Sequence, residues 1–131
     1  MKRRGILNVH LASILASLGH RDEVAIVDCG MPIPAGTIVV DLALIRGVPR
    51  FNDVLDAIAD ELVVEGYVYA TESEQHNPDL LTRLDECFPD VDAEVVGHGV
   101  LKERLGRVRA VVRSGEATPY SNVILVCGVA F

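Results

Sequence analysis

Ile6, Leu7, Leu11, Ile14, Leu15 and Leu18 recur at spacings of three and four, which predicts a helix over residues 6–18 with one apolar face. Gly19 suits the left-handed position that ends such a helix. The pattern then changes. "EVAIVD" (23–28) is a short unbroken apolar run, the signature of a strand buried on both faces. "CGMPIPAG" follows as an ordered loop, its prolines fixing backbone angles and its glycines permitting unusual ones.

"TIVVDLAL" (37–44) reads as a second strand, and Phe51, Val54, Leu55, Ile58 and Leu62 mark a helix over about 51–64. "GYVYATE" is a strand, and "NPDLLTRLDECF" a helix with Asn77 as cap and Pro78 at its first position. "AEVVGH" is a short strand ending on His98, and residues 99–106 are a short helix. "RVRAVVRSG" and "NVILVCGVAF" are late strands. Only "EATPYS" lies between them, too short for a crossover helix, so as neighbours they would run antiparallel. The expected architecture is one domain over residues 1–131, a three-layer α/β/α sandwich around a mostly parallel, mixed central sheet. A final Phe131 on a strand end is expected to be buried against something.

Composition narrows the function classes. A formal charge of −7 disfavours polyanionic partners, and 5% aromatic residues without Trp give little for bases to stack on, so no nucleic acid is expected. The charge is uneven: residues 53–94 hold thirteen acids and a single base, Arg83, whereas 102–113 hold five bases and one acid. These acids are the wet faces of two helices, or a surface that the basic segment of another copy meets. Cys29, Cys87 and Cys127 form no C-x-x-C pair, which points to a reducing cytoplasm. Asn8, His10 and Ser13 interrupt the apolar run a secretory signal needs, and no stretch has the length of a membrane span.

Four histidines are present. His10 lies in the first helix, and His76 in a polar stretch reads as solvated. His98 stands between two glycines, and His20 follows a helix end, where the dipole favours an imidazole. Neither a metal-ligand spacing nor a phosphate-loop pattern occurs. Cys29, Ser121 and Cys127 are conceivable nucleophiles without a nucleophile-elbow motif. What remains is a set of polar groups at element ends: His20, Asp28, His98, Lys102, Glu116, Tyr120, Ser121 and Asn122. Such a set suits a small polyol, with Asp accepting from hydroxyls, Asn doing both, and His moving protons near neutral pH.

Together "KRRGILN", "SLGH", "VDCGMPIP", "IVVDLALIRGVPRF", "NPDLL", "VGHGVLK" and "SGEATPYSNVILVCGVAF" resemble the D-ribose pyranase family over the whole chain. The related fucose mutarotases share the opening Gly-His but carry a different loop where this chain has "CGMPIP". The resemblance implies interconversion of the pyranose and furanose forms of D-ribose, with His20 as catalytic proton donor. It implies substrate binding by Asp28, His98 and the run Tyr120, Ser121, Asn122. It also implies no cofactor, no metal, and a cytoplasmic homo-oligomer of stacked rings, a decamer in the family's usual form. Two positions depart from the family pattern. Ala117 stands where Cys is common, and Ser121 where Ala is common, adding a hydroxyl that faces either the sugar or solvent. The rival readings are a fucose-type mutarotase, a non-catalytic sugar-binding accessory of a ribose importer, and an acidic scaffold that binds no sugar.

One distance stands out. His20 precedes the first strand and Asp28 ends it, and five or six extended residues span about 16–20 Å, too far for both to touch one pentose. Either the strand is short and the chain doubles back, or the two groups meet through different subunits; the second is expected.

Overall fold

A computed structural model describes all 131 residues. Its centre is a six-stranded sheet. In chain order the elements are α1 (Val9–Ser17), β1 (Glu23–Val27), β2 (Val39–Asp41), α2 (Phe51–Ala59), β3 (Val64–Ala70), α3 (Glu72–His76), α4 (Pro78–Cys87), β4 (Asp92–Val96), α5 (His98–Arg104), β5 (Ala110–Arg113) and β6 (Val123–Cys127). The strands are ordered β2-β5-β1-β6-β3-β4. β6 runs antiparallel to both of its neighbours, while the β1–β5, β2–β5 and β3–β4 pairs are parallel. The carboxyl ends of five strands and the beginning of β6 therefore share one edge of the sheet. In open α/β sheets that edge is where ligands bind.

Alternation along each strand divides the core into two faces. Val24, Ile26, Val40, Tyr67, Val112, Val123 and Leu125 pack with Leu11, Leu15, Val54, Leu55, Ile58, Leu80 and Leu84, which come from α1, α2 and α4. Ala25, Val27, Val68, Val111 and Ile124 face the other way, onto Leu101 and Leu105 with Met31 of the proline-rich loop. The three-layer expectation holds, but the layers are unequal: one short helix covers the second face, and Asp92–Val95 of β4 stay exposed. α1 begins where Asn8 Oδ1 accepts from Leu11 N at 2.9 Å. α2 begins where Asp53 Oδ2 accepts from Arg50 N at 2.9 Å.

Several local expectations are corrected. The first helix is shorter than the apolar repeat, and Gly19 does not take the left-handed turn. Leu18 is already extended, and Gly19 N donates to Asp22 Oδ2 at 2.8 Å. The turn falls on Arg21 (φ 66°), whose amide donates to Cys127 O at 2.8 Å. α2 stops at Ala59 because Asp60 and Glu61 begin the turn into β3, while Leu62 still packs on the core. The second strand shrinks to three residues, the length over which β5 pairs with it. His98 does not end a strand; it opens α5, with Gly97 at the cap. The two late strands are not neighbours. β1 lies between them, so the short connection steps across one strand, and the mixed sheet arises from β6 entering between β1 and β3. Phe131 is fully exposed in the single chain.

Leu55 sits at the centre of the larger core and is 0% exposed. Leu55→Ala removes buried methyl groups and leaves a cavity, so urea unfolding should show a loss of about 2–5 kcal/mol.

Candidate functional site

At the shared strand edge lies an open cleft of about 640 Å³, lined by Asp28, Cys29, Gly30, Arg46, His98, Lys102, Glu116, Ala117, Thr118, Pro119 and Tyr120. Asp28 is the first residue past β1, and Asn122 immediately precedes β6. The antiparallel register, Ile26 opposite Val123, brings them together. Asn122, 1% exposed, donates from Nδ2 to Asp28 Oδ2 at 2.8 Å and accepts from Asp28 N at 3.0 Å. Gly30 N donates to Asp28 Oδ1 at 3.0 Å. Each carboxylate oxygen thus has one fixed donor and a second lone pair free for a hydroxyl.

The loop between β5 and β6 forms the opposite wall and is organised by Glu116. Its carboxylate accepts from the amides of Phe51, Ala117 and Thr118 and from the Thr118 hydroxyl, at 2.9–3.2 Å. Burial pushes this carboxyl up, but those hydrogen bonds outweigh it and hold it below the ordinary glutamate range. At the loop's root, a Cβ on Gly115 would overlap the Val48 backbone, which only glycine avoids. Tyr120 adopts the left-handed region at φ 62°, rare for an aromatic residue. Its carbonyl accepts from Ser73 Oγ at 3.2 Å, and Asn77 Nδ2 donates to Pro119 O at 3.3 Å.

His98 reaches the cleft from the first turn of α5, with Lys102 one turn further on. Its backbone amide donates to Glu72 Oε2 at 2.9 Å, and its ring meets the Tyr120 ring edge-on at 5.0 Å. Nδ1 is buried without a partner. Burial, and then the Lys102 ammonium, push its pKa below the ordinary 6.5, against weaker opposing pulls from Glu72 and Asp28. Both effects favour the neutral ring.

The sequence-predicted residues thus separate into three places. Asp28, His98 and Tyr120 line the cleft, with Lys102 and Glu116, and Asn122 braces Asp28 from below. Ser121 lies behind the loop: its hydroxyl is buried, accepts from Asn77 Nδ2 at 3.0 Å, and borders a smaller cavity of about 190 Å³ with Phe51 and Glu116. It faces neither the cleft nor solvent. That bond is why Asn77 does not cap α4 with its side chain, as the sequence led one to expect. His20 stands at the far end of β1, its Nε2 3.0 Å from Glu65 Oε2, in an apolar groove with Leu18, Leu62, Val63, Val129 and Phe131. Five strand residues separate it from Asp28, about 17 Å at the usual rise. Arg46, Thr118 and Asn77 lie inside the quoted stretches but have no site role in the sequence reading, because nothing local marks their contacts. That reading also treated His76 as merely solvated, whereas its ring stacks on Tyr120.

Carboxylate, imidazole, phenol and ammonium groups converging on an open cleft at strand ends define a binding protein for small polar molecules. The chain belongs to the RbsD / FucU transport protein family, whose model matches residues 1–130. It is 53% identical over 131 residues to D-ribose pyranase 2 of Streptomyces griseus, with 100% of both chains covered. Identity to the D-ribose pyranase of Geobacillus thermodenitrificans is 49%, over 100% of this chain and 99% of that one. Among solved structures, Bacillus subtilis RbsD complexed with D-ribose matches with a TM-score of 0.95 at 42% identity, covering 100% of both chains. A Streptococcus pneumoniae fucose mutarotase in complex with L-fucose shares the fold, with a TM-score of 0.83 at 19% identity over 100% of both chains.

Two measurements test this geometry. In a proton NMR titration His98 should show a midpoint below 6.5, rising in Lys102→Met because the repelling charge is gone. Folding favours the neutral ring, so its contribution to stability is complete above pH 6.5 and is lost as pH falls through the depressed folded value. Asn122→Ala leaves Asp28 without its brace and should cost about 1–3 kcal/mol in denaturant unfolding.

Proposed function

We propose that the chain is a D-ribose pyranase, an intramolecular isomerase that interconverts the β-pyranose and β-furanose forms of D-ribose. The observation that carries this reading is the full-length match to curated D-ribose pyranases at 49–53% identity, together with a cleft built for hydroxyls. Ring opening takes the proton from the anomeric O1 hydroxyl, forms the aldehyde as the C1–O5 bond breaks, and delivers a proton to O5. Reclosure sends the O4 hydroxyl onto C1, releases its proton and returns one to O1. The cycle is redox-neutral, and a positioned acid–base group contributes about 10²–10⁴-fold.

In this reading Asp28, held by Asn122 and Gly30, accepts from sugar hydroxyls, and neutral His98 and Tyr120 shape the wall. Ser121 contributes through the loop. His20 is the proton donor, delivered to the cleft of a neighbouring copy in a homo-oligomer, a decamer of stacked pentameric rings, in the cytoplasm. Support for a shared site comes from the distance between His20 and the cleft, and from exposed Val129 and Phe131 beside it. No helix is long and apolar enough to cross a membrane.

Saturation-transfer NMR on D-ribose and L-fucose side by side tests the reading. Exchange between ribose ring forms should accelerate, whereas selective acceleration of fucose exchange would favour the fucose-type alternative. Ribose affinity without acceleration would leave an accessory binder. His20→Ala should slow exchange by about 10²–10⁴-fold at unchanged ribose binding. A fully active monomer at high dilution would refute the shared site.

A further inference from the structure

The helix α3 is only five residues long, yet three of its residues and the adjoining Asn77 touch the cleft walls. Glu72 holds the His98 amide, Ser73 holds the Tyr120 carbonyl, and Asn77 holds Pro119 and Ser121. The remaining one is His76. Its imidazole lies on the Tyr120 ring with centroids 5.4 Å apart and planes 24° from parallel. Tyr120 in turn meets His98 at 5.0 Å and 77°. The three rings form a continuous array, with an exposed imidazole at the back, the phenol in the middle and the cleft-lining imidazole at the front.

Tyr120 needs such support. Its left-handed backbone is unfavourable for a bulky residue and persists where surroundings over-determine it. The hydrogen bond from Ser73 fixes the backbone carbonyl but leaves the ring free to turn about its side-chain torsions. A face-stacked neighbour on one side and an edge contact on the other remove that freedom. Aromatic pairs of this kind contribute beyond the area they bury. His76 lines neither the cleft nor the smaller cavity behind the loop, so it does not touch a sugar in the cleft.

We infer that His76 is a positioning residue: its ring face holds the Tyr120 ring in the orientation that receives the sugar, so that the cleft wall is set before substrate arrives. The inference rests on the ribose reading of the cleft. It predicts a role for the flat face of the imidazole and none for its nitrogens, since a freely turning Tyr120 weakens substrate binding without altering proton transfer.

The experiment compares wild type, His76→Ala, His76→Phe and His76→Leu by ribose ring-exchange kinetics, by NMR titration with D-ribose, and by thermal melting. His76→Ala should raise KM and the ribose Kd together by about 3–10-fold, the size of one lost aromatic pair, with kcat within about twofold. His76→Phe should restore both to within about twofold of wild type, while His76→Leu, bulky but not flat, should resemble His76→Ala. An unchanged Kd in His76→Ala, or Phe as impaired as Ala, would overturn the inference. So would a Kd loss matched by a lower melting temperature in Ala and Leu alike. If His76→Ala fails to fold, the Phe–Leu comparison decides. The Kd readout also separates this from failure of the functional reading: wild type that binds ribose without catalysing exchange refutes the isomerase while leaving the role of His76 measurable.

Discussion

The pairing of Asp28 with Asn122 is the constraint on which the cleft depends. It joins residues separated by 94 positions in sequence, and it follows from strand register. β6 enters antiparallel between β1 and β3, so its first residues arrive at the edge where the parallel strands finish. A carboxylate at such an edge would otherwise be mobile and solvated. Here a nearly inaccessible amide and a loop amide fix both oxygens, and the remaining lone pairs point to the open side. Without β6 in that slot, Asp28 would keep only the local Gly30 amide and lose both of its bonds to Asn122.

The opposite wall follows a different logic. The 116–121 loop has no regular structure, and its shape is imposed from three sides. Glu116 gathers the amides of its own loop and of Phe51, Gly115 lets the chain press against Val48, and α3 with Asn77 grips the far half. Polar groups that would otherwise face water are used inward. The result is a rigid rim around a site that is open to solvent, which suits a ligand small enough to enter and leave without a lid.

Much of this was legible in the sequence because the signals were local. The apolar runs in 23–28 and 122–131 contain strands, the three-four repeat from Phe51 to Leu62 and the Asn77-Pro78 start mark helices, and polar residues at element ends lie along the cleft edge. What could not be read was whatever depends on non-local pairing. Nothing near Asn77 says that its amide will seek Pro119 and Ser121 instead of capping its own helix. Nothing near His76 shows that an aromatic ring from 44 residues away will settle on it. The placement of β1 between the two late strands likewise depends on sheet order, which six intervening residues do not encode. The separation of His20 from Asp28 was legible, because a five-residue strand has a known length.

The position of β6 also matters for how the sheet closes. It comes last among the elements but lies near the middle of the sheet, between strands made long before it. Without β6 the sheet would fall into two halves, β2-β5-β1 and β3-β4, with an unfilled gap between them. Each half exposes backbone groups awaiting the same missing partner, and a strand from any other molecule could enter there. β6 alone closes that gap and, with Asn122 just ahead of it, fixes the Asp28 carboxylate in the same step.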